Sequence, residues 1–178
     1  MKQIFFALLL LFPAFIHAQS SKPDLSKMKI EVVQVQPQNV LTIRDTCTVE
    51  NIGPTLGKLY GEIGKYMKEQ GLEMAGPVFA IYRNSDPKNM ILEAGVAANK
   101  TSAGNNRVKA WEMKGGNAVK ASYYGSYDGL RDAYPVIGEW MKKQGVKQTG
   151  SPWESYVTDP TTVKDMNECL TEIYFPVQ

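Results

Sequence analysis

Near the end of the chain, Trp153-Glu154-Ser155-Tyr156 puts a carboxylate two positions from a phenol and next to an indole. Side chains alternate along an extended strand, so Glu154 and Tyr156 share one face while Trp153 and Ser155 share the other. A carboxylate and a phenol side by side support two chemistries. Held away from water, the carboxylate attracts an organic cation, which aromatic ring faces then cradle. Set against an already reactive electrophile, the same pair supplies a general base and a proton donor, which makes Glu154 and Tyr156 catalytic if the protein is an enzyme. Tyr127, Phe79, Ile81 and Trp111 are the further candidate ligand contacts.

Other chemistries lack their residues. The single histidine, His17, lies in a stretch expected to be removed, which excludes Ser-His-Asp and Cys-His catalysis, a histidine-held haem and the common zinc sites. No metal and no cofactor is expected. The two cysteines, Cys47 and Cys169, leave two readings open, a disulfide or a pair of buried thiols. The formal net charge is +2, with positive and negative residues interspersed and no basic stripe, so no nucleic-acid partner is expected. The partner is instead a small hydrophobic, aromatic or cationic molecule.

Residues 1–18 read as a secretory signal peptide: Lys2, then an apolar run from Ile4 to Ile16 broken by Pro13, then Ile16-His17-Ala18 before polar Gln19-Ser20-Ser21. Cleavage after Ala18 would leave a periplasmic or secreted protein with no membrane association. Residues 19–27 are polar and are expected to form a flexible lead-in.

The elements that must position Glu154 are written twice. Leu56, Tyr60, Ile63, Gly64, Met67, Lys68, Gln70, Gly71 and Gly76 return 74 positions later as Leu130, Tyr134, Ile137, Gly138, Met141, Lys142, Gln144, Gly145 and Gly150. The spacing of Leu56, Tyr60, Ile63 and Met67 places them on one helical face, a core-packing pattern, and each helix closes at a glycine. Strands are expected at Ile30–Val35, Val40–Ile43, Pro77–Tyr82 and Met90–Val96, and again at Arg107–Met113, Ala118–Tyr124, Trp153–Val157 and Thr171–Val177. Pro135 implies either a second helix starting near Asp132 or a kink, and the kink is the favoured expectation. These elements predict an α+β domain, an antiparallel sheet with two helices on one face, built from repeat halves at about 28–97 and 107–178. Counting Ser151 as an extra residue in the second copy aligns Phe79 with Glu154 and Ile81 with Tyr156. On that alignment one apolar position has become acidic and the other phenolic.

The segment Tyr124-Gly-Ser-Tyr127, then Leu130, Tyr134, Gly138-Glu-Trp140, Trp153-Glu-Ser-Tyr-Val-Thr-Asp-Pro160 and the terminal Thr171-Glu-Ile-Tyr-Phe-Pro-Val177 resemble the DNA gyrase inhibitor-like (GyrI-like) small-molecule-binding domain. That domain is also the effector-binding part of multidrug-responsive transcription activators. The resemblance spans about residues 28–177 and implies a tandem of two strand-helix-strand-strand modules with a cleft between them. It also implies that the glutamate of Trp-Glu-x-Tyr, Glu154, lies in the cleft with Tyr156. Some members are hydrolases of cyclopropane-bearing compounds, which keeps the enzymatic reading open. The expected leader and the lack of a DNA-binding segment set this chain apart from the activators.

Overall fold

A computed structural model describes residues 24–178. The expected signal peptide and the start of the lead-in lie outside them. The elements run β1 (Lys29–Val35), β2 (Gln38–Cys47), α1 (Ile52–Glu69), β3 (Met74–Tyr82), β4 (Met90–Ala98), β5 (Lys109–Met113), β6 (Gly116–Tyr124), α2 (Leu130–Gln144), β7 (Trp153–Tyr156) and β8 (Leu170–Pro176). The eight strands form one antiparallel sheet in the order β1-β6-β8-β7-β3-β4-β2-β5, with both helices on one face. Among the described residues, no helix is long and apolar enough to cross a membrane.

That order is a palindrome of the two copies. It places the pseudo-twofold between β3 and β7, the only direct strand pairing between the β2–β3–β4 and β6–β7–β8 sets. Each copy surrenders its first strand: β1 pairs with β6 and β5 with β2. The exchange forces the sheet to curl. In a flat sheet the first and seventh strands would lie about 29 Å apart, at about 4.8 Å per neighbour. Yet β1 and β2 are joined through Gln36-Pro37 alone, a reach of about 11 Å. The link Lys114-Gly115 between β5 and β6 makes the same crossing beside it, so close that a Cβ on Gly115 would sit 2.5 Å from the Val35 carbonyl oxygen.

The two helices pack by the faces read from the repeat. Leu56, Leu59, Ile63 and Met67 bury against Leu41, Ile43, Leu92 and Ala94, while Leu130, Ala133, Ile137 and Met141 bury against Val119, Ala121, Ile173 and Phe175. Ile63 and Ile137 are fully buried, and truncating either to alanine costs about 2–5 kcal/mol. Gly145 ends α2 with φ +69°, where a side chain would be strained. α2 begins at Leu130 rather than near Asp132 and carries Pro135 in its interior. The final lead-in residues are structured: Asp24 accepts from the Ser26 backbone N–H to cap a 3₁₀ turn at Leu25–Lys27, and Leu25 packs on the α2 core. A short apolar anchor has overridden the polar composition there.

Candidate functional site

The pseudo-twofold passes through the cross-strand pair Ala80–Glu154, and both side chains lie on the helix-bearing face. Val78, Ala80 and Tyr82 on β3, with Glu154 and Tyr156 on β7, form the floor between the two helices. Tyr60 reaches this floor from α1, its phenol donating to the Phe79 carbonyl at 2.8 Å, and Tyr134 reaches it from α2, donating to Glu154 Oε1 at 2.8 Å. On the other carboxyl oxygen, Tyr156 donates to Oε2 at 2.8 Å, the Tyr82 hydroxyl lies 3.1 Å from Oε2, and the Tyr82 and Tyr156 hydroxyls are themselves 3.0 Å apart. The single methyl of Ala80 leaves room for two phenols to converge over it.

Glu154 is 4% exposed, and among the described residues no Lys or Arg makes an ion pair with it. Burial pushes its carboxyl above the ordinary 4.5, against the downward pull of hydrogen bonds from Tyr134, Tyr156 and Tyr82. Burial prevails. Hydrogen bonds to a charged acceptor are worth about 1.5–3 kcal/mol each, while removing a carboxylate from water costs several kcal/mol. The same burial, followed by the nearby carboxyl, drives the phenols of Tyr60, Tyr82, Tyr134 and Tyr156 above the usual tyrosine range. Beside Tyr156 in the next strand, the fully buried Thr171 hydroxyl has no hydrogen-bond partner among the described residues. An orphaned polar atom next to a buried carboxyl is unusual in a settled core.

Tyr127 lies at the rim. The turn that carries it is braced by the Tyr123 phenol, which donates to the Ser126 carbonyl at 2.8 Å. Its ring meets Tyr156 edge-on with centroids 5.4 Å apart, and 39% of the residue remains exposed. Glu154, Tyr156 and Tyr127 are therefore brought together.

Phe79, Ile81 and Trp111 do not join them, and the reason is register. Phe79 pairs with Ser155 and Ile81 with Trp153, which puts both on the face away from the helices, in a cluster with Val40, Met113 and Trp153. Trp111 also faces that side, its indole N–H donating to Thr42 Oγ1 at 2.9 Å. Counting Ser151 as an insertion shifted the strand alignment by one residue, and a one-residue slip reverses every face. The helical spacing of 74 holds through the strand, so the true counterparts are Ala80 with Glu154 and Tyr82 with Tyr156. Tyr60, Tyr82 and Tyr134 are the site residues missed from sequence. Two of them, Tyr60 and Tyr134, form an identical repeat pair whose helical spacing predicts core packing alone. Cys47 and Cys169 are free thiols, one at the end of β2 and the other buried ahead of β8.

The opposite face carries a separate groove of about 450 Å³ beneath the β1–β2 link. The copies differ there too. Phe79 lies flat on Gly95, leaving no space for a Cβ, whereas the Trp153 ring stacks on Tyr174 at 4.8 Å. The groove's charges are already matched, with Lys120 Nζ 3.1 Å from Glu172. Glu93, the other buried carboxylate, also lies on this face and is held by Arg44 at 2.9 Å and Arg83 at 2.8 Å.

Residues 28–178 match the model of the GyrI-like small molecule binding domain. Among solved structures, the EcmrR C-terminal domain is 26% identical over 85% of this chain and 98% of its own, with a TM-score of 0.73. EcmrR in its DNA complex is likewise 26% identical over 85% of this chain, with a TM-score of 0.75, but the match takes in only 57% of that longer chain. SAV2435, solved bound to tetraphenylphosphonium, is 15% identical over 84% of this chain and 94% of its own, with a TM-score of 0.59, a likeness of fold alone. No curated protein sequence matches.

Proposed function

The chain belongs to the GyrI-like small-molecule-binding family, and we propose that it is an exported binding domain that takes up a lipophilic organic cation between α1 and α2, over Glu154. One observation carries this reading: a buried carboxyl surrounded by phenols, with no basic side chain among the described residues paired to it. A carboxylate left so would cost several kcal/mol, and a ligand cation is the partner the site lacks. The phenol rings of Tyr60, Tyr82, Tyr134 and Tyr156 would add apolar contact and cation–π attraction, and the Thr171 hydroxyl would offer a further polar contact. Tyr127 would close over the ligand from the rim.

The test uses two ions of one shape. Calorimetry should find that tetraphenylphosphonium binds and tetraphenylborate does not, and that Glu154→Gln removes the preference. Equal affinity of the wild type for both ions overturns the assignment of charge to Glu154. Export is inferred from residues 1–18, and the N-terminal sequence of protein recovered outside the cytoplasm should begin at Gln19. Protein recovered with residues 1–18 intact counts against it.

A hydrolytic reading draws on the same contact. The Tyr156 hydroxyl, 2.8 Å from Glu154 Oε2, sets a proton donor beside a base, enough for a strained electrophile such as a cyclopropane. Turnover of such a compound that disappears in Glu154→Gln would favour it over simple binding.

A further inference from the structure

The hydrogen bonds around Glu154 can be counted by proton. Four close oxygen–oxygen contacts converge here: Tyr134 to Oε1, Tyr156 to Oε2, Tyr82 to Oε2, and Tyr82 to Tyr156, at 2.8, 2.8, 3.1 and 3.0 Å. Each such contact is held by one proton, because two oxygens facing each other with lone pairs repel. The three phenols bring three protons. If Glu154 were ionised, Tyr134 and Tyr156 would spend theirs on the carboxylate, and Tyr82 would have one proton for two acceptors. A fourth proton on Oε2 closes the set: Glu154 donates to Tyr82, Tyr82 to Tyr156, and Tyr156 back to Oε2, while Tyr134 donates to Oε1.

We propose that, without ligand, the protein holds Glu154 as the neutral acid, and that a permanently charged organic cation displaces this proton as it enters. The exchange balances: Glu154–COOH plus the cation gives the carboxylate–cation pair and one proton released to solvent, with no covalent bond to carbon made or broken. It rests on the binding reading above and adds a rule of selectivity. Neutral ligands cannot drive the exchange, and a quaternary cation competes with protons for one carboxyl. Burial, which lifts the Glu154 carboxyl above 4.5, points the same way.

No other group facing the carboxyl confuses the count. Tyr82 from β3, Tyr156 from β7, Tyr134 from α2 and Tyr60 from α1 are all pushed above the usual phenol range, and Thr171 and Ile173 of β8 do not titrate. At the rim, Tyr127 is raised by its own burial and then by Cys169, Asp159 and Glu154.

Two measurements on the purified protein separate this inference from the reading beneath it. Without ligand, the infrared difference spectrum at pH 7 between wild type and Glu154→Gln should contain a protonated-carboxyl C=O band. The wild type's own alkaline titration should abolish the same band, which covers the case in which the variant does not fold. Finding only ionised-carboxylate absorption overturns the proposal. With tetraphenylphosphonium in weakly buffered solution, about one proton should appear per ligand bound, and affinity should rise about tenfold per pH unit until Glu154 ionises unaided. Binding with no proton released overturns the exchange but leaves the cation site standing. Failure to bind, with the carboxyl band present, removes the cation site but leaves the protonated acid.

Discussion

Glu93 and Glu154 are buried almost equally, at 5% and 4% exposure, on opposite faces of one sheet, yet their surroundings are opposed. Glu93 is a finished structure. Burial pushes its carboxyl up, but hydrogen bonds from Thr42, Arg83 and Arg44, reinforced by the Arg83 charge, outweigh it and leave the group below 4.5. Glu154 receives neutral phenols alone and ends above 4.5. Burial by itself therefore says little about function; the identity of the compensating groups decides. A carboxylate already matched by two guanidiniums holds the fold, whereas one with no Lys or Arg partner among the described residues is the place we propose for a ligand.

The contrast is most severely tested by restoring symmetry. Ala80→Glu would set a second carboxyl directly across from Glu154, and we expect a loss of about 3 kcal/mol or more in chemical denaturation. Unchanged stability would mean the floor is open enough to solvate both. Next comes ligand affinity: Glu154→Gln should weaken tetraphenylphosphonium binding by about 3 kcal/mol, two orders of magnitude, whereas Glu93→Gln should leave it within about twofold. Stability should reverse that ranking. Glu93→Gln strands two arginines that are partly in water, for a loss of about 1–2 kcal/mol at pH 7, while Glu154→Gln, compared below pH 4.5 where the wild-type carboxyl is protonated in both folded and unfolded chains, replaces one neutral group with another and should change stability by less than about 0.5 kcal/mol.

The pH dependence should run in opposite directions. A raised carboxyl contributes stability that is complete below the unfolded value near 4.5 and is lost as pH climbs through its folded value. The lowered Glu93 contributes stability present above 4.5 and lost as pH falls through its folded value. Melting temperatures across pH should thus lose their decline on the alkaline side in Glu154→Gln and part of their acid decline in Glu93→Gln. Identical slopes in both variants would erase the distinction.

Much of this was legible in the sequence. The 74-residue echo located both helices, their buried faces and the strands around them, because a period near 3.6 and a closing glycine are local signals. Glu154, Tyr156 and Tyr127 stood out by residue type. Tyr82 and the outward placement of Phe79 and Ile81 were lost to a single assumed insertion at Ser151. Tyr60 and Tyr134 were visible as an identical pair, but helical periodicity cannot show that a phenol extends beyond its core face to meet a carboxyl. Curling of the sheet was hidden as well, since the exchange of β1 and β5 leaves no mark in either strand.

The sequence alone, then, determined a duplicated α+β unit and a carboxylate beside a phenol near its end, because propensity, periodicity and residue chemistry act over a few neighbours. Only the tertiary structure decided that the carboxylate lies on the pseudo-twofold, opposite an alanine, ringed by phenols from both copies and, among the described residues, paired with no Lys or Arg. Those are distances between residues about 20 to 94 positions apart in the chain, and they exist only once the two halves share a sheet.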